Sequence, residues 1–385
     1  MLILKILYRN AFRNKLRTGL TVLGITVAIL AFGLLRTLVD AWYAGVEASS
    51  AVRLVTRNSI SLVFPLPIAY KDKIRQVPGV KVVSWGNWFG GIYIEEKNFF
   101  PNFAVEPRSY LDLYPEFMLS ENQRLAFYRD RRGFVAGRKI VDKFGWKMGD
   151  TITLKGTIYP GEWEFVLRGI YRGKDDSVDE TQFFFHWDYL NETMKKTVPR
   201  RADQVGFYLV GVQSPDLAST VAVSIDGLFK NSLAETLTET ERAFNLGFVA
   251  MTEAIVTAIQ IVSLLVIVII MAVVANTMAM TTRERIGEYA ILKTLGFGRL
   301  HITSLIFGES LVITILGCLA GIALTFPAVM IVHHELGTYF PIFKVGMETL
   351  YLDFAAALVV AVSAAVIPTR RAIGIRIAEG LRRIG

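Results

Sequence analysis

Cysteine is almost absent from this chain of 385 residues, in which Cys318 is the single example. An intrachain disulfide is therefore excluded, and any domain outside the membrane must be stabilised by its hydrophobic core alone. Cys318 lies inside an apolar run, so we interpret it as a small apolar filler.

Sites for chemistry are also missing from the sequence. The phosphate-binding pattern G-x-x-x-x-G-K-[ST] does not occur, so the chain builds no P-loop of its own. His333 and His334 are followed by no further histidine at the spacing of a zinc site. The acidic residues between 175 and 180 lack the spacing of a calcium loop, and His186, in an aromatic run, fits strand packing. We therefore expect no catalytic residue, no metal site and no cofactor in this chain.

Charge is distributed unevenly, although the net charge is +8. Residues 1–18 carry five Lys/Arg and no acid, residues 281–303 carry four Lys/Arg and two acids, and residues 368–385 carry five Lys/Arg and one acid. Residues 40–253, by contrast, carry 26 basic and 27 acidic residues. The basic segments flank apolar runs, which is typical of cytoplasmic ends of membrane helices. A nucleic-acid partner is not expected, since it would favour a basic patch on a folded domain.

Four apolar runs are long enough to cross a bilayer, which takes about 20 helical residues. They predict transmembrane helices at residues 19–39, 254–280, 304–332 and 352–368, with Pro368 closing the last. The basic flanks place both termini and the loop 281–303 in the cytoplasm.

The predicted fold class is an α-helical membrane protein with four transmembrane helices, one before and three after a mixed α+β extracytoplasmic domain. The other predicted segments are a cytoplasmic amphipathic lead-in helix (1–18), the extracytoplasmic domain with a helical stalk (40–253), a cytoplasmic loop with a short helix (281–303), a short outer loop (333–351) and a cytoplasmic tail (369–385).

Within the outer domain, alternation of apolar and polar residues predicts several short strands. They are residues 80–83, 91–95, 150–155 and 163–171, together with a strand and amphipathic helix in residues 133–146. Residues 217–248 predict a long helical stretch, interrupted near Gly227, that leads toward the second span.

The loop 281–303 carries the most informative pattern. Apolar residues recur at every third position and predict one side of a short helix; they are Ile286, Tyr289, Leu292 and Leu295. Gly296 and Gly298 fit the end of this helix. Periodicity alone leaves two interpretations open, a helix on the membrane surface or a helix that docks into a groove of a cytosolic partner.

The segment ERIGEYAILKTLGF resembles the inner-loop motif of MacB/FtsX-type ABC permeases (type VII, mechanotransmission, MacB/LolC-like), whose usual form is ER-x-R-E-I-G-I-L-R-A-L-G-A. The matching positions are Glu284, Arg285, Glu288, Ile291, Leu292, Leu295 and Gly296, and Lys293 keeps the basic position. Gly287 and Ala290 depart from the motif, so no role is assigned to position 287. Residues 7–29, 133–156 and 308–324 are also similar to segments of this family.

The resemblance implies a permease subunit without catalytic residues. The coupling to a cytosolic ABC ATPase would involve the matching residues and Tyr289, with ATP and magnesium bound by the ATPase chain. The further partners implied are a second copy or paralogue of the permease, membrane lipids and, left open, a periplasmic adaptor. The protein would reside in the inner membrane and act in efflux or lipoprotein release by moving its outer domain.

Two features of the third span bear on its packing. Glu309 is an acid in a span and so a functional-site hypothesis by default, but we interpret it as a structural ion-pair partner. The candidate cations are Arg283, Arg285 and Arg299. Gly317 and Gly321 form a G-x-x-x-G pattern, which allows close approach of another helix.

Two other classes of protein would require features of their own. A membrane-anchored sensor or scaffold would bind a ligand outside, but it would need a cytosolic signalling domain, and the longest cytosolic segment spans only 281–303. A membrane enzyme would need converging acids, histidines or a metal cluster, and none stands out in the sequence.

Overall fold

The computed structural model describes residue 9, residues 11–336, residue 340 and residues 342–375. Predictions for residues 1–8 and 10 of the lead-in, 337–339 and 341 of the outer loop, and 376–385 of the tail lie outside the described residues. The chain divides into two compact units. The membrane unit comprises residues up to 41, 252–336 and those from 343 onward, and the outer unit comprises residues 42–251 and 337–342.

The helices, in chain order, are α1 (Lys15–Glu47), α2 (Tyr70–Arg75), α3 (Pro107–Leu113), α4 (Glu121–Arg129), α5 (Arg138–Phe144), α6 (Trp187–Thr197), α7 (Ala218–Leu228), α8 (Glu241–Met251), α9 (Glu253–Glu284), α10 (Ile286–Thr294), α11 (Arg299–Leu336) and α12 (Met347–Gly374). The strands are β1 (Arg53–Asn58), β2 (Leu66–Pro67), β3 (Val80–Trp88), β4 (Gly91–Ile92), β5 (Asn102–Val105), β6 (Phe117–Met118), β7 (Gly133–Gly137), β8 (Thr151–Gly156), β9 (Gly161–Gly173), β10 (Phe183–His186), β11 (Gln204–Val205), β12 (Phe207–Val212) and β13 (Thr236–Thr240).

Four of the described helices, α1, α9, α11 and α12, are long and apolar enough to span a membrane. Their positions agree with the four apolar runs of the sequence, and each extends past the run at both ends. The prediction that Pro368 closes the last helix is wrong, because α12 continues to Gly374. Pro368 is buried against its neighbours, and packed membrane helices tolerate proline in their interior.

The outer unit is built on a mixed sheet with strand order β13-β1-β12-β3-β5-β10-β7-β9-β8-β4. Strands β5 and β10, and strands β7 and β9, pair in parallel, and the other neighbours are antiparallel. Alternate residues of the central strands enter different hydrophobic cores: Phe183 and Phe185 enter one core, and Phe184 the other. Both faces of the sheet are thus covered, which explains an aromatic run without polar alternation.

The prediction of a helical stretch over residues 217–248 is wrong in its middle. Residues 236–240 form β13 at the edge of the sheet, between α7 and α8. Asp226 in α7 accepts hydrogen bonds from the hydroxyls of Thr236 and Thr238, at 2.8 and 2.7 Å. These tertiary contacts, and the pairing of β13 with β1, override the local helical pattern.

His186 is the last residue of β10, and we expect it to make the stability of the outer unit depend on pH. The side chain is buried, and its Nε2 lies 2.6 Å from the carbonyl oxygen of Phe127. Burial lowers the pKa of His186. The unfolded chain therefore takes up a proton more readily than the folded chain, so the stabilisation is complete above the unfolded pKa of about 6.5 and declines as the pH falls below it.

The decline due to this histidine is limited to about 1.4 kcal/mol per pH unit, the slope for one proton. Tryptophan fluorescence during urea unfolding can measure it, because all six tryptophans lie in the outer unit. A His186→Gln variant should have a shallower acid decline than the unchanged chain. Parallel pH curves would contradict the assignment.

Candidate functional site: the clamped helix between the second and third spans

Helix α10 lies between α9 and α11 and ends in a glycine-dependent cap. Gly296 adopts a φ of +88°, a conformation that residues with a Cβ rarely adopt. Its N–H donates to the carbonyl of Lys293 at 3.1 Å, and the N–H of Phe297 donates to the carbonyl of Leu292 at 3.0 Å. This pair of bonds is a Schellman motif, so the sequence-predicted stop at Gly296 has a defined geometry.

The beginning of α10 is held by Arg285, which sits at the junction with α9. Its Nη1 donates to Oε2 of Glu309 at 2.8 Å and its Nε donates to Oε2 of Glu288 at 3.0 Å. Glu309 is only 3% exposed, so its charge is matched by Arg285 within the protein. The guanidinium also lies over the ring of the buried Tyr289, 5.6 Å from its centroid. Of the three candidate partners for Glu309, the structure thus brings Arg285 to it.

The lead-in segment adds two ion pairs to this junction. Arg17 binds Glu284 through two hydrogen bonds of 2.8 and 2.6 Å, and Arg13 binds Glu288. Partial burial of Glu288 disfavours its charge, but the hydrogen bonds from Arg13 and Arg285 outweigh this effect and lower the pKa of Glu288. The sequence indicates Arg13 and Arg17 only as basic residues before the first span. Their partners could not be predicted, because Glu288 and Glu284 lie more than 260 residues away in the chain.

The end of α10 is fixed to the last helix by Lys293. Its Nζ donates to the carbonyl oxygens of Ala372, Ile373 and Ile375, at 3.3, 2.8 and 2.9 Å. The last carbonyls of a helix have no intrahelical partners, and a lysine is a suitable donor to them. Helix α10, together with Arg285 just before it, is therefore attached by polar contacts to α11, to the end of α12 and to the lead-in.

The exposed side of α10 and of the turn after it is apolar. The exposed apolar side chains are Ile291, Leu295, Phe297 and, at the start of α11, Leu300, with Leu295 exposed by 70% and Leu300 by 83%. Thr294 and Arg299 are exposed among them. Leu292 differs from them, since it is partly buried against the core of the membrane unit. Of the apolar series in the sequence, Tyr289 thus faces inward and Leu295 outward.

The two glycines of the third span lie at the crossing of α11 with α1. A Cβ on Gly317 would lie 2.6 Å from the Cβ of Ile25, and a Cβ on Gly321 would lie 2.7 Å from the Cβ of Ile29. Real Cβ atoms do not approach this closely, so the two helices are in backbone-level contact at both glycines.

Four apolar helices, one before and three after a mixed-sheet domain, define a multi-pass membrane protein with an inserted outer domain. Residues 260–377, which include α10 and its bonding partners on α11 and α12, match the family model described as FtsX-like permease C-terminal. This part of the chain is thus similar to the C-terminal membrane segment of FtsX-like permeases.

Two solved structures are similar to the outer part of the chain. One is the extracellular domain of the noncanonic ABC-type transporter YknZ from Gram-positive bacteria, at 11% identity and a TM-score of 0.37, covering 49% of this chain and 100% of that one. The other is a domain of a protein described as a permease from Porphyromonas gingivalis, at 13% identity and a TM-score of 0.34, covering 49% of this chain and 90% of that one. No curated protein matches the chain.

Proposed function

We propose that this chain is the permease subunit that couples ATP binding and hydrolysis, by a separate ATPase subunit, to movement of its extracytoplasmic domain. The movement would export or extract a periplasmic or membrane substrate such as a drug, peptide, lipid or lipoprotein. The observation that carries the proposal is that α10 has two different sides. One side is bonded to the spanning helices, and the other is apolar and exposed.

The exposed side suits a protein partner. Ile291, Leu295, Phe297 and Leu300 are exposed and close together in sequence, next to Arg299, and we assign them to one apolar interaction surface. The match to an ABC permease family makes a cytosolic ATPase the partner that we propose for it. In that arrangement both termini and α10 are cytoplasmic, ATP and magnesium bind to the ATPase, and two permease chains of the inner membrane pair.

The clamped side suits transmission of a displacement. Arg285 is bonded to Glu309 of α11, and Lys293 to the end of α12. A force on α10 therefore reaches two spanning helices through charge-assisted hydrogen bonds, which are about twice as strong as neutral ones. ATP-driven closure of the ATPase could in this way select between two arrangements of the spanning helices.

Affinity purification of the tagged chain from its native membrane tests the proposal. We expect an ABC ATPase in equal amount with the chain, and at least a tenfold loss of it in the double variant Leu295→Asp/Leu300→Asp. These two leucines are preferable to Leu292, because a charge at the partly buried Leu292 would also disturb the membrane unit.

A control is Leu233→Asp, which makes the same substitution once, at a fully exposed leucine of the outer unit, and should retain the ATPase. Equal recovery of ATPase with the double variant would contradict docking on this surface. Recovery of the unchanged chain with signalling proteins and no ATPase would favour a sensor instead.

A further inference from the structure

Besides Glu309, the described part of the membrane unit contains a second buried acid, Asp353, that the sequence pattern did not indicate. It lies in the second turn of α12, its exposed fraction is 0%, and neither carboxyl oxygen has a hydrogen-bond partner among the described residues. Glu309, the other buried acid among the described residues of the spanning helices, is by contrast bonded to Arg285. An unpaired buried carboxyl is unusual, because burial removes the hydration that a charged group requires.

The surroundings of Asp353 are polar but neutral. Its Oδ2 and Oγ1 of Thr325 lie 3.3 and 3.2 Å from the position that a Cβ on Gly33 would occupy, so α1, α11 and α12 meet around the carboxyl. Sγ of Cys318, on α11, lies 3.9 Å from the backbone oxygen of Asp353. The missing side chain at Gly33 is what leaves room for the carboxyl group.

The charges on the neighbouring elements are engaged elsewhere. On α1, Nε of Arg36 lies 3.2 Å from Oδ1 of Asp40, and Oδ2 of Asp40 accepts the hydroxyl of Thr349 at 2.8 Å. Helix α9, which also packs against α12, has no ionisable residue between Ala254 and Met280. On α11, among the described side chains, the thiol of Cys318 is the titratable group recorded in contact with Asp353, through its backbone oxygen.

We propose that Asp353 is a proton-binding site, occupied by a proton when α1, α11 and α12 are packed as in this structure and vacated when they separate. A protonated carboxyl carries no charge to desolvate, so the neutral acid is the form that suits this unpaired, buried position. An ionised carboxylate in the same place would be an unpaired charge within a helix bundle. Separation of the helices lets water reach Asp353 and allows the proton to leave. The packing of the spanning helices is therefore linked to proton uptake, independently of any ATPase.

Infrared spectroscopy of the full chain in lipid nanodiscs tests the proposal through the C=O band of a protonated carboxylic acid. At neutral pH we expect this band in the unchanged chain and its loss in Asp353→Asn, which mimics the neutral acid. Glu348→Gln, in the exposed first turn of the same helix, should keep the band. A band that persists unchanged in Asp353→Asn, or none in the unchanged chain, would overturn the proposal.

Thermal unfolding of the membrane unit gives a second readout. Because the packed state holds the proton, the unchanged chain should lose stability from mildly acidic to mildly alkaline pH, and Asp353→Asn should not. Equal pH dependence of the two chains would contradict the proposal. If Asp353→Asn does not fold, isotope labelling of aspartate carboxyls replaces that variant. The labelled chain carries Asp179→Asn, which removes an outer-unit aspartate whose pKa is raised by burial. A label-shifted band supports the proposal, and an unshifted band contradicts it.

Discussion

Replacement of Arg53 by methionine is expected to destabilise the outer unit by about 3–5 kcal/mol, the usual cost of breaking a buried ion pair by removing one partner. Arg53 is 5% exposed. Its guanidinium lies 2.9 Å from Oε2 of Glu241 and 2.7 Å from Oε1 of Glu116, and it donates to the carbonyl of Leu113 at 2.8 Å. It also stacks on the ring of Tyr114, 4.1 Å from the centroid. Its loss leaves the buried Glu241 without its ion-pair partner.

The neighbouring pair Arg57–Glu239 provides a matched control on the same strand, β1. It has a similar distance, 3.1 Å, but its side chains are 21% and 24% exposed. We expect Arg57→Met to cost about 1 kcal/mol or less. Urea unfolding of the full chain, followed by tryptophan fluorescence, compares the two variants in the outer unit. Equal losses would show that burial of the Arg53 pair does not determine its contribution.

The Arg53–Glu241 ion pair also matters for the transmission of movement that the proposed function requires. Arg53 follows α1 after five residues, and Glu241 is the first residue of α8, which precedes α9. Oε2 of Glu241 also accepts the backbone N–H of Ser50 at 2.7 Å. The two chain segments that connect the outer unit to spanning helices are thus bonded to each other, so they are expected to move together.

Replacement of Gly321 by leucine is expected to destabilise the membrane unit by about 3 kcal/mol, the upper part of the range for overpacking. The new Cβ would meet Cβ of Ile29 at 2.7 Å and the backbone oxygen of Thr26 at 3.0 Å. A backbone oxygen cannot rotate away as a flexible side chain can, so α1 must separate from α11. Gly19→Leu is the matched control on α1, because a Cβ there meets nothing within 4 Å.

Chemical labelling of the single cysteine can measure the opening of the membrane unit. Cys318 is fully buried among the spanning helices, so a thiol-reactive dye labels it only when the helices open. We expect dye labelling of Gly321→Leu at a clearly lower temperature than of the unchanged chain, and no shift for Gly19→Leu. An unshifted labelling temperature for Gly321→Leu would contradict close packing of α1 on α11.

The sequence by itself determined the number of spanning helices and the place of the inserted domain. These features depend on length and apolar composition within single segments, which need no knowledge of remote contacts. The end of α10 was predictable for the same reason, since Gly296 supplies the positive φ of a helix cap locally. The mixed character of the outer domain followed from alternation in individual strands such as β8 and β9.

Only the tertiary structure decided which segments meet. The formation of β13 in a helical pattern depends on Asp226 and on pairing with β1. The choice of Arg285 for Glu309 depends on how α10 lies against α11. The exposure of Leu295 and the isolation of Asp353 follow from the packing of helices distant in sequence. Burial and pairing are properties of the whole packed chain, and a single segment carries no information about which neighbour will cover it.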